Sequence, residues 1–210
     1  MVTDLVVVAV LAFMATRLLQ GLRATSVRRA RVREIVMGIR WRHVWPVPLV
    51  LTAVVTAALL LIQVPGLDWG WWQALGGEGN PVFGQTDSTA GTALDWIIPL
   101  AFLLCLMPAL PLFAEAEEHM FREGAEFWST WQRVRMCVTF GLVHALIGLP
   151  IGVALALSIG GAYFMNRYLA AGGGRAGLLE STRAHFTYNA IIACLVLVAV
   201  IDTALYGSTG

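Results

Sequence analysis

The sequence concentrates its chemically capable side chains in three short patterns. These are Glu117-Glu118-His-Met-Phe-Arg122, Phe140-x-x-x-His144 and His185-x-x-x-Asn189. Each lies in an apolar stretch, where an ionisable group costs about 2.5–3.5 kcal/mol on membrane-insertion scales, so its default reading is functional. Each also pairs residues four positions apart, which share one face of a helix. Glu118 and Arg122 can form an ion pair, Phe140 can stack over His144 and restrict water around it, and His185 and Asn189 can present two polar groups to one point. Two carboxylates, two imidazoles and an amide can activate a water and hold a developing oxyanion. They also have the composition of a zinc site with three ligands and an open position. Interhelical hydrogen bonding is the plainer alternative. A Glu pair, two His and an Asn on three segments exceed what that purpose needs. Glu115 and His119, near the end of the same segment, have no assigned role and read as solvated.

The elements that must position these residues are membrane helices. Hydrophobic residues make up 58% of the 210 and charged residues 13%, about half the charged share of a soluble domain. Long apolar runs account for the deficit, and each is a candidate span of about 20 residues. The pattern predicts an all-α, polytopic membrane helix bundle of about six transmembrane helices, near residues 3–20, 44–64, 94–121, 133–148, 150–169 and 178–206. The candidate site falls between the third, fourth and sixth. Residues 1–93 form an N-terminal part and 94–210 carry all three patterns.

Charge sets the expected orientation. All fourteen basic residues are Arg, a bias that hints at a GC-rich bacterial genome. Eight of them (Arg17, Arg23, Arg28, Arg29, Arg31, Arg33, Arg40 and Arg42) crowd the 17–43 loop, which places it in the cytoplasm. Residues 24–39 within it read as a basic interfacial helix able to touch anionic lipid. The 65–93 loop has Asp68, Glu78 and Asp87 and no basic residue, so it is external. Both termini are then external, in what reads as a bacterial inner (plasma) membrane. Trp41, Trp45, Trp128 and Trp131 mark the inner edge and Trp69, Trp71, Trp72 and Trp96 the outer one, where indole rings anchor at headgroup level. The Trp-Gly-Trp-Trp run is denser than anchoring needs, which leaves room for a protein partner. Nothing suggests a nucleic-acid module. Gly172-Gly173-Gly174 reads as a flexible turn and not a phosphate loop, since no strand precedes it. Cys105, Cys137 and Cys194 all sit in apolar runs and read as reduced thiols.

Taken together, the three patterns resemble the motifs of the CAAX-protease and bacteriocin-processing family, the type II CAAX prenyl endopeptidase-like intramembrane proteases. The resemblance runs from about Asp95 to Asn189. It departs at Glu123, where the family often has Gly after the Arg. It implies that residues 94–210 are an intramembrane protease core and that the chain hydrolyses a peptide bond with a glutamate-activated water. Glu117 would be the base and His144 would help to position the water. His185 and Asn189 would stabilise the tetrahedral intermediate, with Glu118 and Arg122 as supporting ion pair. No cofactor is implied; zinc is the alternative. The substrate would be a peptide or membrane protein such as a bacteriocin leader. The competing class of function is an accessory or scaffold subunit of a larger membrane complex, docked through the 65–93 and 17–43 loops.

Overall fold

The computed structural model describes residues 2–22, 25–75, 80, 82 and 86–206. Arg23 and Glu78, used above for orientation, lie outside the described residues. Every regular element among the described residues is helical. The helices are α1 (Val2–Leu22), α2 (Ser26–Met37), α3 (Trp41–Val44), α4 (Val47–Leu61), α5 (Leu94–Leu106), α6 (Leu110–Arg122), α7 (Thr130–Val143), α8 (Ile151–Ala156), α9 (Ser158–Ala170) and α10 (Gly174–Tyr206). Three continuous stretches among these residues are long and apolar enough to cross a membrane: Trp41–Leu61, Leu94–Phe127 and Gly174–Asp202. Val2–Thr16 is a shorter apolar helix.

Local chemistry sets the breaks. The long third segment is two helices, α5 and α6, joined by a 3-10 turn at Met107–Ala109. Pro108 lies in that joint and Pro111 in the first turn of α6; neither can donate a backbone N–H, so both suit a first turn and not a helix interior. After Arg122 the chain turns extended at Glu123, then left-handed at Gly124 (φ 81°), which ends α6. The Glu123 position, the departure noted above, is thus the helix stop. A capping box starts α7, with Ser129 Oγ accepting from Gln132 N and Gln132 Oε1 from Ser129 N. At the start of α10, the Glu126 carboxylate accepts from Gly174 N (3.0 Å) and from the Tyr168 hydroxyl (2.6 Å). The Gly172–Gly174 segment is indeed a turn, with all three residues at positive φ.

α10 is the axis of the packing, in contact with α5, α6 and α9, while α7 packs on α9 and α4 on α8. The largest buried cluster joins five helices through Val47, Phe121, Phe140, Phe164, Ala184 and Tyr188. Glycines let α7 approach α8 and α9 closely. A Cβ on Gly141 would lie 2.4 Å from Ala154 O, and one on Gly161 would lie 3.0 Å from both Cys137 O and the Phe140 ring.

Two sets of polar contacts tie distant segments together at opposite ends of the bundle. At one end, Thr86 donates to Asp4 of α1 (3.1 Å), as does Ser88. At the other, α2 is held across α6 and α10. Ile35 is fully buried, Arg31 pairs with Glu34 (2.7 Å) and with Glu115, and Arg183 donates to Glu34 O (2.9 Å). The hydrogen bond from Arg31 holds the Glu34 carboxyl below the usual carboxylate range. Glu115 is therefore an ion-pair partner of α2, not the solvated group that the sequence suggested. His119 is exposed and pairs with Glu123 at 3.0 Å.

Candidate active site

Glu118 and Arg122 stand one turn apart on α6 and both are fully buried. The apolar surroundings leave each charge only the other and its near neighbours for compensation. Arg122 Nη1 donates to Glu118 Oε1 at 2.9 Å, and the same oxygen lies 2.8 Å from His185 Nδ1 of α10. Because a carboxylate only accepts, His185 Nδ1 carries the proton in this contact. Arg122 also reaches Gly161 O of α9 at 3.4 Å, so one guanidinium links α6 to α9 while one imidazole links α6 to α10.

Aromatic rings enclose this network. The guanidinium carbon of Arg122 lies 4.3 Å from the Phe140 ring centre, 5.5 Å from Phe164 and 5.8 Å from Phe121. Such cation–ring contacts are favourable because the ring face carries negative charge density. The His185 ring stacks on Phe164 (4.4 Å, 20°) and meets Phe140 edge-on at 5.4 Å. Phe140 therefore touches Arg122, His185 and, at 5.0 Å, His144. The Phe140–His144 pair is inclined by 65°, an edge contact and not the face-to-face stack that the spacing suggested.

Glu117 differs from its neighbour. Its side chain is 33% exposed, and Oε2 is buried with no hydrogen-bond partner among the described residues. His185 Nε2 lies 3.7 Å from it, beyond direct hydrogen bonding. His185 thus faces both carboxylates, bonded to Glu118 through Nδ1 and open to Glu117 through Nε2.

His144 is not inside a helix. It caps α7 and opens a 3-10 turn, His144–Ile147. Its Nδ1 lies 2.7 Å from Phe140 O, an acceptor, so Nδ1 holds the proton and Nε2 is the ring's acceptor. Asn189, half-buried on α10, is one turn beyond His185. Glu117, Glu118, Arg122, Phe140 and His185 form one connected cluster. His144 joins it through Phe140, and Asn189 through its place on α10.

Among the described residues no three His, Cys, Asp or Glu side chains gather closely enough to hold a metal ion. The Nδ1 atoms of His144 and His185 are committed to Phe140 O and Glu118 respectively, which leaves Nε2 as the ligand-capable atom of each ring.

A second buried charge cluster lay unread in the sequence. Glu180 of α10 accepts from Arg42 (2.8 Å) and His43 (3.0 Å) of α3 and from Arg167 of α9. His43 Nδ1 accepts from Arg40 N at 2.9 Å, so Nε2 is the atom that donates to Glu180. Every one of these partners is positive or hydrogen-donating, and the cluster acts as a clamp between α3, α9 and α10. The signal was present: an acidic residue at the margin of an apolar run is costly wherever it is buried. No protein-family model matches this chain, and neither a curated protein nor a solved structure matches it.

Proposed function

We propose that the chain is an intramembrane endopeptidase in which Glu117 activates the attacking water. One observation carries this reading: two adjacent carboxylates in sharply different circumstances. Glu118 is fully buried with its Oε1 held by both Arg122 and His185, whereas Glu117 is partly open and stands 3.7 Å from His185; Oε2 of each carboxylate is without a hydrogen-bond partner among the described residues. A neutralised carboxylate supports, and an uncommitted one is available to take a proton.

In the proposed step Glu117 accepts a proton from water as the oxygen attacks the peptide carbonyl carbon, and that proton passes to the departing amine as the C–N bond breaks. His144, with Nε2 as acceptor, orients the water. Asn189 and His185 donate to the oxyanion, each such donor being worth about 3–4 kcal/mol in comparable sites. His185 has a constraint of its own. In the neutral ring the one N–H goes to Glu118, so His185 donates elsewhere only when both nitrogens are protonated.

The proposed setting is a six-span bundle in a bacterial inner membrane, with the site between the third, fourth and sixth spans. In this setting the arginine-rich face is cytoplasmic and both termini are external, and the Asp4 contacts with the 86–88 segment fit this for the N-terminus. The substrate class is a membrane peptide or leader segment. Comparing peptides released in membranes that carry wild-type or Glu117→Gln protein tests the reading.

A second reading, a scaffold subunit, draws on the Glu118–Arg122–His185 network, which would hold α6, α9 and α10 together without any chemistry. Purification separates the two. A free peptidase runs as a small particle, and a subunit co-purifies stoichiometrically with its partners.

A further inference from the structure

We infer that Asn80, on the loop between α4 and α5, is a positioning residue for His144, and this rests on the peptidase reading above. His144 begins the short connection between α7 and α8. That connection is only one 3-10 turn followed by Gly148 at φ 88°, closed by Gly148 N to Ala145 O (3.1 Å) and a long Leu149 N to His144 O contact (3.4 Å). A single 3-10 turn is a short element of poor hydrogen-bond geometry, so contacts from outside it help to fix a side chain at its first residue.

The fixing contacts come from the loop. Asn80 is buried, its Nδ2 donates to Gly148 O at 2.7 Å, and its Oδ1 accepts from Val82 N at 3.0 Å. The fit is close: a Cβ on Gly148 would lie 2.2 Å from Asn80 Oδ1. The same loop satisfies the first backbone donors beyond the turn, with Ile151 N bonded to Trp69 O (3.0 Å) and Gly152 N to Leu67 O (2.6 Å). His144 is thereby held from two sides, by its own Nδ1–H bond to Phe140 O and by the Asn80 clasp on the turn's last carbonyl. The loop is the seat of the turn that carries His144. Losing the clasp releases the turn, and with it the geometry that selects the Nδ1-protonated ring.

The experiment is nitrogen NMR of ¹⁵N-histidine-labelled full-length protein in detergent micelles, in buffer alkaline enough to keep imidazoles neutral. The four histidines are assigned by substitution. Wild type is expected to show the Nδ1-protonated signature at His144. Asn80→Ala and the near-isosteric Asn80→Asp both remove the Nδ2 donor and should turn that signal into a mixture of tautomers, leaving His43 and His185 unmoved. Thr86→Val, which loosens the loop at its Asp4 end, should leave His144 as in wild type. If Asn80→Ala does not fold, Asn80→Asp carries the test. An unchanged His144 signal in folded Asn80 variants, or an equal change in Thr86→Val, overturns the proposal. Peptide release measured in parallel should fall at least tenfold in both Asn80 variants. If wild type releases no peptide but His144 still responds to Asn80, the positioning role stands and the peptidase reading falls.

Discussion

The Arg122 guanidinium and the Phe140 ring lie 4.3 Å apart, and this contact joins the ion pair of α6 to the helix that ends at His144. Arg122 is thereby both the counter-charge of Glu118 and part of the packing that seats α7. The two roles separate by mutation. Arg122→Ala strands a buried carboxylate, which costs roughly 3–5 kcal/mol. Glu118→Gln combined with Arg122→Met leaves no stranded charge and restores apolar contact with the rings. Thermal unfolding should show a large loss in the single variant and recovery of much of it in the double variant.

Gly161 is the contact at which α9 touches Phe140 and presents its carbonyl to Arg122. A valine there places several atoms where the first alone meets Cys137 O and the Phe140 ring at 3.0 Å. Overpacking of this kind costs about 1–3 kcal/mol. Gly161→Val should lower the unfolding temperature, whereas Gly160→Ala, whose nearest neighbour is the Phe164 ring at 3.8 Å, should change it little.

Orientation can be read by impermeant maleimide labelling of single cysteines in a cysteine-free background. Positions 26 and 88 are both exposed and sit on opposite sides in this account. Position 88 should label from outside and position 26 only after permeabilisation. A cysteine at exposed Val2 should follow position 88, since Asp4 bonds to that segment.

Much of this arrangement was legible in the sequence, and the reasons are local. The Glu118–Arg122 pair followed from i, i+4 spacing alone, and the basic helix within residues 24–39 from its arginines. What stayed hidden was long-range. His185 could not be joined to Glu118 across 67 residues without knowing how α6 and α10 pack. Arg42 was read only as an orientation marker, because its partner Glu180, shared with Arg167, lies on a distant element. The break at His144 was missed because the apolar run continues through the turn, and only Gly148 and Pro150 punctuate it.

The central claim is that Glu117, and not Glu118, is the base. Its most direct test is the set of peptides released in membranes carrying wild type or Glu117→Gln, with detergent-extracted protein checked for intact folding. The account predicts that the wild-type-specific peptides fall by at least about 10²-fold in Glu117→Gln while the protein remains inserted and folded. Undiminished release by folded Glu117→Gln would contradict it.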